Sequence, residues 1–352
     1  MDFESMKMHI YDMQEDEQFY KKYYFARQQQ YSLELFLSQL NMKDVLKRNL
    51  IVLEKPETMP EFFDDSFFFD MSNEESIAIQ RHNRYSPSFI HKHTFFELIY
   101  VYDGKCTHEV SGKRLEMHTG DLCVIPPEIN HTIECFNDDT LIFNVLIRKD
   151  TLHTIFRNFL STNNALASFF LNNIYAKNAN DFIIFHTGYD KVIKEAFLRM
   201  LWEYQNKERY YFQAISSTLM LCFYLLIRDY EDSIQVPEFA HRLDVQRYAV
   251  IKYIQDNYKN VTLNVLADKF HYTPEYASKI IKKATNMTYS EIILRVRIEK
   301  AQELLLNTNL SVSTIAEEIG YETTEHFIRQ FKKYTKTTPA AYRKEHADLV
   351  LH

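Results

Sequence analysis

Ala267-Asp-Lys-Phe-His-Tyr272 and Ala316-Glu-Glu-Ile-Gly-Tyr321 are the same phrase written twice. Ile281-Lys-Lys-Ala-Thr285, followed by Met287-Thr288, likewise returns as Phe331-Lys-Lys-Tyr-Thr335, followed by Thr337-Thr338. The offset is 49 residues before the turn and 50 after it, so the second copy carries one extra residue at the turn. Two copies are too few to close a solenoid core. Two helices joined by a tight turn, the second ending in lysines, read better as a helix-turn-helix whose second helix enters the major groove of a nucleic acid.

Spacing carries the helical reading. In the first copy Leu263, Leu266, Ala267 and Phe270 fall at i, i+3, i+4, i+7 behind Thr262, an N-cap type. Thr273-Pro274 starts the next helix with a cap and a proline at N1, where the missing N–H costs nothing. Its inner face is Ala277, Ile280, Ile281 and Ala284; its outer face is Glu275, Ser278, Lys279, Lys282 and Lys283. The second copy sets Val312, Ile315, Ala316 and Ile319 on its first helix, Gly320 at the turn and Thr323 at the cap. Phe327, Phe331 and Tyr334 are then expected inside, and Thr324, Glu325, His326, Arg329, Lys332 and Lys333 outside. Asn286 is expected as a left-handed cap after the first recognition helix. Between the copies, residues 288–306 form one amphipathic pattern (Ile292, Ile293, Val296, Ala301, Leu304, Leu305). A helix of about 19 residues spans about 28 Å, close to the ~34 Å between successive major-groove faces. One chain can thus present two recognition helices to one side of double-stranded DNA.

Residues 243–345 resemble the AraC/XylS family of bacterial transcription regulators. The family's pattern stands here as Ile315-Ala316, Gly320-Tyr321, Phe327, Arg329, Phe331-Lys332-Lys333, Thr338-Pro339 and Tyr342-Arg343. The resemblance implies promoter binding through two helix-turn-helix motifs, and contact with RNA polymerase if the protein activates. One departure is Lys336, which stands where the family usually has a glycine after the second recognition helix. A lysine enters the left-handed region only at a cost of roughly 1 kcal/mol, so a local change of turn is expected there.

Composition agrees with a molecule in two parts. Residues 241–352 hold 17 Lys+Arg against 13 Asp+Glu, whereas residues 1–240 hold 24 against 35. A mildly basic end joined to an acidic front suits a DNA-binding module attached to something else. No run approaches 18 consecutive apolar residues and the start, Met-Asp-Phe-Glu-Ser, is not a signal sequence, so no membrane segment is expected. The four cysteines lack metal-like spacing and read as reduced thiols of a cytoplasmic protein.

From about residue 67 to 187 the rhythm changes to short strands. Phe96-Glu-Leu-Ile-Tyr-Val101, Leu122-Cys-Val-Ile125, Thr132-Ile-Glu-Cys-Phe136 and Leu141-Ile-Phe-Asn-Val-Leu-Ile147 are separated by turn pairs such as Asp103-Gly104, Ser111-Gly112 and Gly120-Asp121. Such spacing implies a sandwich or barrel. His91-Lys-His93-Thr-Phe-Phe-Glu97 before Gly104, and Gly120 before Pro126 and His131, are similar to the two cupin motifs, with Cys135 in place of the usual last asparagine. In metal-binding cupins the matching residues, here His91, His93, Glu97 and His131, hold a divalent ion; these donors suit Fe, Mn, Ni or Zn. No cofactor is required by the motif, because the same residues can line a metal-free effector pocket or merely cap strands. Tyr100 and Tyr102 share a strand face with Leu98, and Tyr100 is counted with the effector-binding residues because an aromatic ring suits a sugar.

The expected organisation is therefore multidomain α+β. It has an N-terminal helical extension (1–60), a cupin-like sensor barrel (61–187), connecting helices suited to a homodimer interface (188–236), and an all-α tandem helix-turn-helix domain (237–352). The connectors are read from Val192, Ala196, Leu198, Met200, Leu201 and Tyr204, and from Ile215, Leu219, Cys222, Phe223, Leu226 and Ile227. Asp232-Ser-Ile-Gln-Val-Pro237 reads as the linker. In the extension, residues 33–50 pattern as one helix, to which no function attaches. Two classes of function stay open. One is a regulator that answers a small molecule, such as a sugar; the other is a metal-dependent cupin enzyme with a DNA-binding appendage.

Overall fold

The computed structural model describes residues 2–60, 62–70, 75–160, 164–175, 182–234, 245–285 and 287–347. The chain divides into two compact units, one from Met1 to His241 apart from Tyr175–Asn178, the other from Arg242 to His352. The proposed linker ends among residues 235–244, outside the described residues; its first part is a 3-10 turn, Glu231–Ser233.

The first unit opens with four helices, α1 (Phe3–His9), α2 (Glu15–Ala26), α3 (Gln30–Ser38) and α4 (Met42–Lys47), with α5 (Asp65–Phe68) just before the strands. The single helix expected over 33–50 is thus two, because Asn41 caps a new one by accepting from the amides of Lys43 and Asp44. The extension is bolted to the strands. Glu17 of α2 is fully buried, and its carboxylate takes Arg84 Nε at 2.8 Å and Arg81 Nη2 at 2.9 Å. Burial opposes the charge on Glu17, but Arg84, the Gln14 amide and Arg81 together outweigh it and lower the carboxyl's pKa.

Eight strands follow: β1 (Ile77–Arg81), β2 (Phe96–Asp103), β3 (Lys105–Val110), β4 (Lys113–His118), β5 (Asp121–Ile125), β6 (His131–Glu134), β7 (Leu141–Ile147) and β8 (Ile183–His186). They form a five-stranded sheet, β1-β7-β2-β5-β8, and a three-stranded sheet, β4-β3-β6, with antiparallel pairing throughout. Alternation then sorts the side chains. Ile99, Val101, Cys123, Ile125 and Ile142 of the larger sheet meet Cys106, Val110, Met117 and Ile133 of the smaller in one interior core. Gly104 and Gly120 make the turns at φ +81° and +89°, and at Gly120 a Cβ would sit 1.7 Å from the carbonyl oxygen of Gly188.

Short helices α6 (Lys149–Ile155), α7 (Arg157–Leu160) and α8 (Ala165–Tyr175) lie between β7 and β8; α9 (Lys191–Asn206) and α10 (Tyr211–Tyr230) follow β8. α9 turns Ile193, Phe197, Met200 and Leu201 inward, and α10 turns Ile215, Leu219, Phe223 and Leu226 inward. By length and composition α10 could cross a membrane (mean hydropathy 1.3), a feature that counting uninterrupted apolar runs overlooks. A third of that apolar stretch is buried against the unit itself.

The second unit comprises α11 (Val245–Asp256), α12 (Leu263–Phe270), α13 (Pro274–Thr285), α14 (Tyr289–Asn307), α15 (Val312–Glu318), α16 (Thr324–Thr335) and α17 (Pro339–Ala347). α14 is a shared rod with a capping box between Thr288 and Glu291. Its Ile292 and Val296 join the core of α11, α12 and α13. Its Ile298, Ala301 and Leu305 join the core of α15, α16 and α17. The two halves are welded at one carbonyl. Arg297 Nη2 donates to Lys259 O at 3.0 Å and its Nε to Tyr258 O at 3.0 Å. A Cβ on Gly320 (φ +84°) would come within 2.4 Å of that same Lys259 oxygen.

Candidate functional site

The interior of the first unit holds a cavity of about 170 Å³, of the order of the ~150 Å³ cavities that take up a benzene ring. Its polar floor is drawn from several strands: Gln80 and His82 from β1 and its exit, Glu97 from β2, His131 from β6 and Asn144 from β7. His91 and His93 come from the segment leading into β2. Phe63, Phe67, Phe68, Phe89 and Phe95 make an aromatic wall, and Asn49 and Ile51 of the N-terminal extension complete it.

His93, Glu97 and His131 are buried, and one ligand atom from each lies within 4.8 Å of the others. His131 Nε2 stands 3.1 Å and His93 Nε2 3.3 Å from Glu97 Oε2, while Asn144 Nδ2 donates to Oε1 at 2.8 Å. The opposite ring nitrogens face backbone carbonyls: His93 Nδ1 to Phe95 O at 2.7 Å, His131 Nδ1 to Ile129 O at 3.2 Å. That arrangement is the usual outer support of a metal-binding imidazole. Burial works against ionised Glu97, but His131 and His93 together hold its carboxyl well below the ordinary range. Burial also lowers His93, Glu97 notwithstanding. A neutral His93 that donates through Nδ1 offers only a lone pair at Nε2. A lone pair so close to a carboxylate calls for something positive between them: a proton, a donor group of a ligand, or a divalent cation.

Of the residues expected here, His91, His93, Glu97 and His131 line one cavity. His91 is outside the compact trio; its ring packs on that of His131 at 4.3 Å and its Nδ1 faces Phe89 O at 3.1 Å. Burial drops its pKa to about 3. Tyr100 is a correction. It lies on the opposite face of β2 from Glu97 and Ile99, and its ring stacks on Phe197 of α9 at 4.1 Å, away from the cavity. A strand's period of two decides this once the inward face is known, and Glu97 marks that face.

Three further polar residues of the interior, His82, Asn144 and His108, belong to no sequence motif. His82 lines the cavity, bonds Ser86 Oγ through Nε2 at 3.2 Å, and is lowered to about 4 by burial. His108 of β3 is fully buried, edge-on to His131 at 5.6 Å, and neither ring nitrogen has a hydrogen-bond partner among the described residues. His108 has the inward parity of Cys106 and Val110, a signal that strand alternation alone contained.

The second unit offers an outward face. α12 and α13 meet through His271 (φ +56°), with Tyr272 N bonding Ala267 O at 2.8 Å. α15 and α16 meet through Gly320, with Tyr321 N bonding Ala316 O at 2.9 Å. Thr273 and Thr323 cap the second helices by accepting from Tyr276 N (3.2 Å) and His326 N (3.3 Å). Glu275, Lys279, Lys282, Glu325, His326, Arg329, Lys332 and Lys333 are exposed, and Ser278 and Thr324 half-buried. The Lys283 side chain and the Asn286 cap lie outside the described residues. Among the described residues Arg329 forms no ion pair, Glu325 included. Tyr334, expected inside with Phe327 and Phe331, is 44% exposed because the core closes at Phe331 and Tyr342. Lys336 adopts the left-handed cap itself (φ 70°), so the turn keeps its shape without glycine.

Residues 76–177 match the AraC-like ligand binding domain and residues 266–345 a helix-turn-helix domain. The chain belongs to the AraC family. The Msm operon regulatory protein of Streptococcus mutans is 35% identical over 97 residues, 27% of this chain and 35% of that protein. The bifunctional transcriptional activator/DNA repair enzyme AdaA of Bacillus subtilis is 35% identical over 96 residues, 27% of this chain and 46% of AdaA. The C-terminal domain of AraT, a response regulator from Geobacillus stearothermophilus, is a solved structure 34% identical to this chain, covering 30% of it and 88% of the domain (TM-score 0.29). These matches span less than half the length of either curated relative. In AraC terms the interior cavity belongs to the ligand-binding domain and the paired helices to the helix-turn-helix domain.

Proposed function

We propose that this AraC-type chain is a ligand-responsive transcription regulator. It binds promoter DNA through α13 and α16 in successive major grooves and senses a small molecule in the barrel. The observation that carries the reading is the twofold use of one device on a shared rod: the same left-handed turn, threonine cap and outward cationic helix face. Arg329 is read as a base contact, its guanidinium fork suited to guanine O6 and N7. Glu275, Ser278, Lys279, Thr324, Glu325 and His326 share that face, and Lys282, Lys283, Lys332 and Lys333 supply salt-dependent backbone affinity. On this reading Arg329→Ala loses roughly 1–3 kcal/mol on the preferred duplex and relaxes one base position. An equal loss on all duplexes would make Arg329 a phosphate contact.

Neutral imidazoles, an amide and an aromatic wall suit an uncharged, hydroxyl-rich effector of about monosaccharide size, and a sugar is the class we favour. The convergence of His93, Glu97 and His131 favours a second occupant, a divalent cation, with His91 close by. Elemental analysis of the purified protein separates the two, and Glu97→Gln should abolish either binding. If Glu97→Gln leaves both effector response and metal content unchanged in a folded protein, the motif is structural. Turnover of candidate sugars with added Fe or Mn tests the remaining enzyme alternative. We place the protein in the cytoplasm as a homodimer, with exposed Val192, Leu221 and Tyr224 of α9 and α10 available for self-association; an activator would also meet RNA polymerase.

A further inference from the structure

The two helix pairs also match at one edge of their outward faces. Tyr276 is the third residue of α13 and His326 the third of α16. Both rings are exposed, Tyr276 by 51%. Each is braced edge-on by the tyrosine of its own turn: Tyr272–Tyr276 at 5.1 Å and 77°, Tyr321–His326 at 5.4 Å and 84°. The braces are themselves held, Tyr272 by stacking on Phe270 (6.0 Å, 17°) and Tyr321 by Phe327 (5.5 Å) and the Arg297 guanidinium (5.4 Å).

At about 100° per residue, positions 276 and 326 sit roughly a quarter turn from the centre of the outward face. A helix seated in the major groove turns that flank toward the groove wall, where the phosphates run. Both side chains carry a hydrogen-bond donor. The Tyr276 hydroxyl has no hydrogen bond among the described residues. The Gln330 amide nitrogen lies 3.2 Å from His326 Nε2; as donor it leaves the ring proton on Nδ1.

We propose that Tyr276 and His326 are a matched pair of neutral phosphate contacts, one for each helix pair, that seat α13 and α16 at equal depth in the groove. The inference rests on the DNA-binding reading above. A neutral donor on a phosphate oxygen strengthens binding, yet carries no sequence information and neutralises no phosphate charge. These two absences separate it from a base contact and from a lysine.

The test begins by selecting duplexes from a library with a randomised core, using the full-length wild-type protein. Tyr276→Phe and His326→Phe keep the braced rings and remove the donors. Each is expected to bind the selected duplex and a scrambled one about tenfold more weakly. Reselection should return the same consensus, with an unchanged slope of log affinity against log salt. Lys332→Ala, run alongside, should flatten that slope by about one. Wild-type affinity in both phenylalanine variants, or a changed base preference in either, overturns the inference while the DNA-binding reading stands. If the wild-type protein selects no duplex at all, that reading fails and takes the inference with it.

Discussion

The barrel and the helical module deploy polar side chains in opposite directions. In the barrel, His82, His93, Glu97, His108, His131 and Asn144 point inward; burial lowers the titrations of His82, His93 and His108, and His131 with His93 lowers that of Glu97 against burial. In the module the described charged residues of α13 and α16 are exposed, and no histidine is buried among the described residues. An interior site concentrates chemistry in a low dielectric at the expense of stability. An exterior face leaves stability to the apolar side and keeps the outer side free for a partner.

Acid should strain the barrel and spare the module, and Glu17 gives the largest single effect. Glu17→Ala leaves Arg81 and Arg84 buried without their carboxylate and is expected to cost about 3–5 kcal/mol in the barrel unit. Denaturant unfolding should show the loss in that unit's transition only; an equal loss in both transitions would break the contrast. Gly320→Ala is the module's counterpart. Its Cβ would strike Lys259 O with φ held at +84°, for roughly 3 kcal/mol. Gly112→Ala in the barrel, at φ +77° with nothing within 4 Å, should cost only about 1 kcal/mol. Equal costs would mean that the Lys259 contact relaxes freely.

The pH dependence follows from direction. Folded His82 titrates at about 4 and His91 at about 3, below the ~6.5 of a free imidazole. Between those values the unfolded chain takes up protons that the folded barrel refuses. Stability therefore falls as pH drops from about 6.5, by at most about 1.4 kcal/mol per pH unit for each such proton. Glu17 and Glu97, both lowered, act with the same sign near pH 4 and below. Limited proteolysis at pH 5 against pH 7.5 should open the barrel before the module; the reverse order would refute the contrast. The smallest effect is a gain. Lys336→Gly relieves the left-handed cap and should stabilise the module by about 1 kcal/mol.

The module was legible because an α-helix writes its faces in a period of 3.6, so caps, turns and both faces of α12, α13, α15 and α16 lie in consecutive residues. Even there Tyr334 misled, since periodicity cannot say where a core stops. The barrel was legible in its strands and in the His91–His131 motif, but less in its site. His82, His108 and Asn144 come from the exit of β1, from β3 and from β7, whose meeting is a property of sheet closure, and Tyr100 was misplaced for want of a known inward face. The N-terminal extension resisted most: Glu17 matters through Arg81 and Arg84, more than sixty residues away in sequence, and Asn49 and Ile51 matter through a cavity that only the folded barrel creates.

The weld at Lys259, where Arg297 and Gly320 converge, has a mechanical meaning for any DNA the chain reads. With B-DNA turning once in about 10.5 base pairs, one inserted pair rotates the second groove by roughly 34°. A flexible hinge between α13 and α16 would absorb that rotation; a joint made of two guanidinium hydrogen bonds and a glycine pressed on a carbonyl resists it. The phase of the operator would then be as restrictive as its letters, and a promoter could escape such a regulator by an insertion that leaves both half-sites intact.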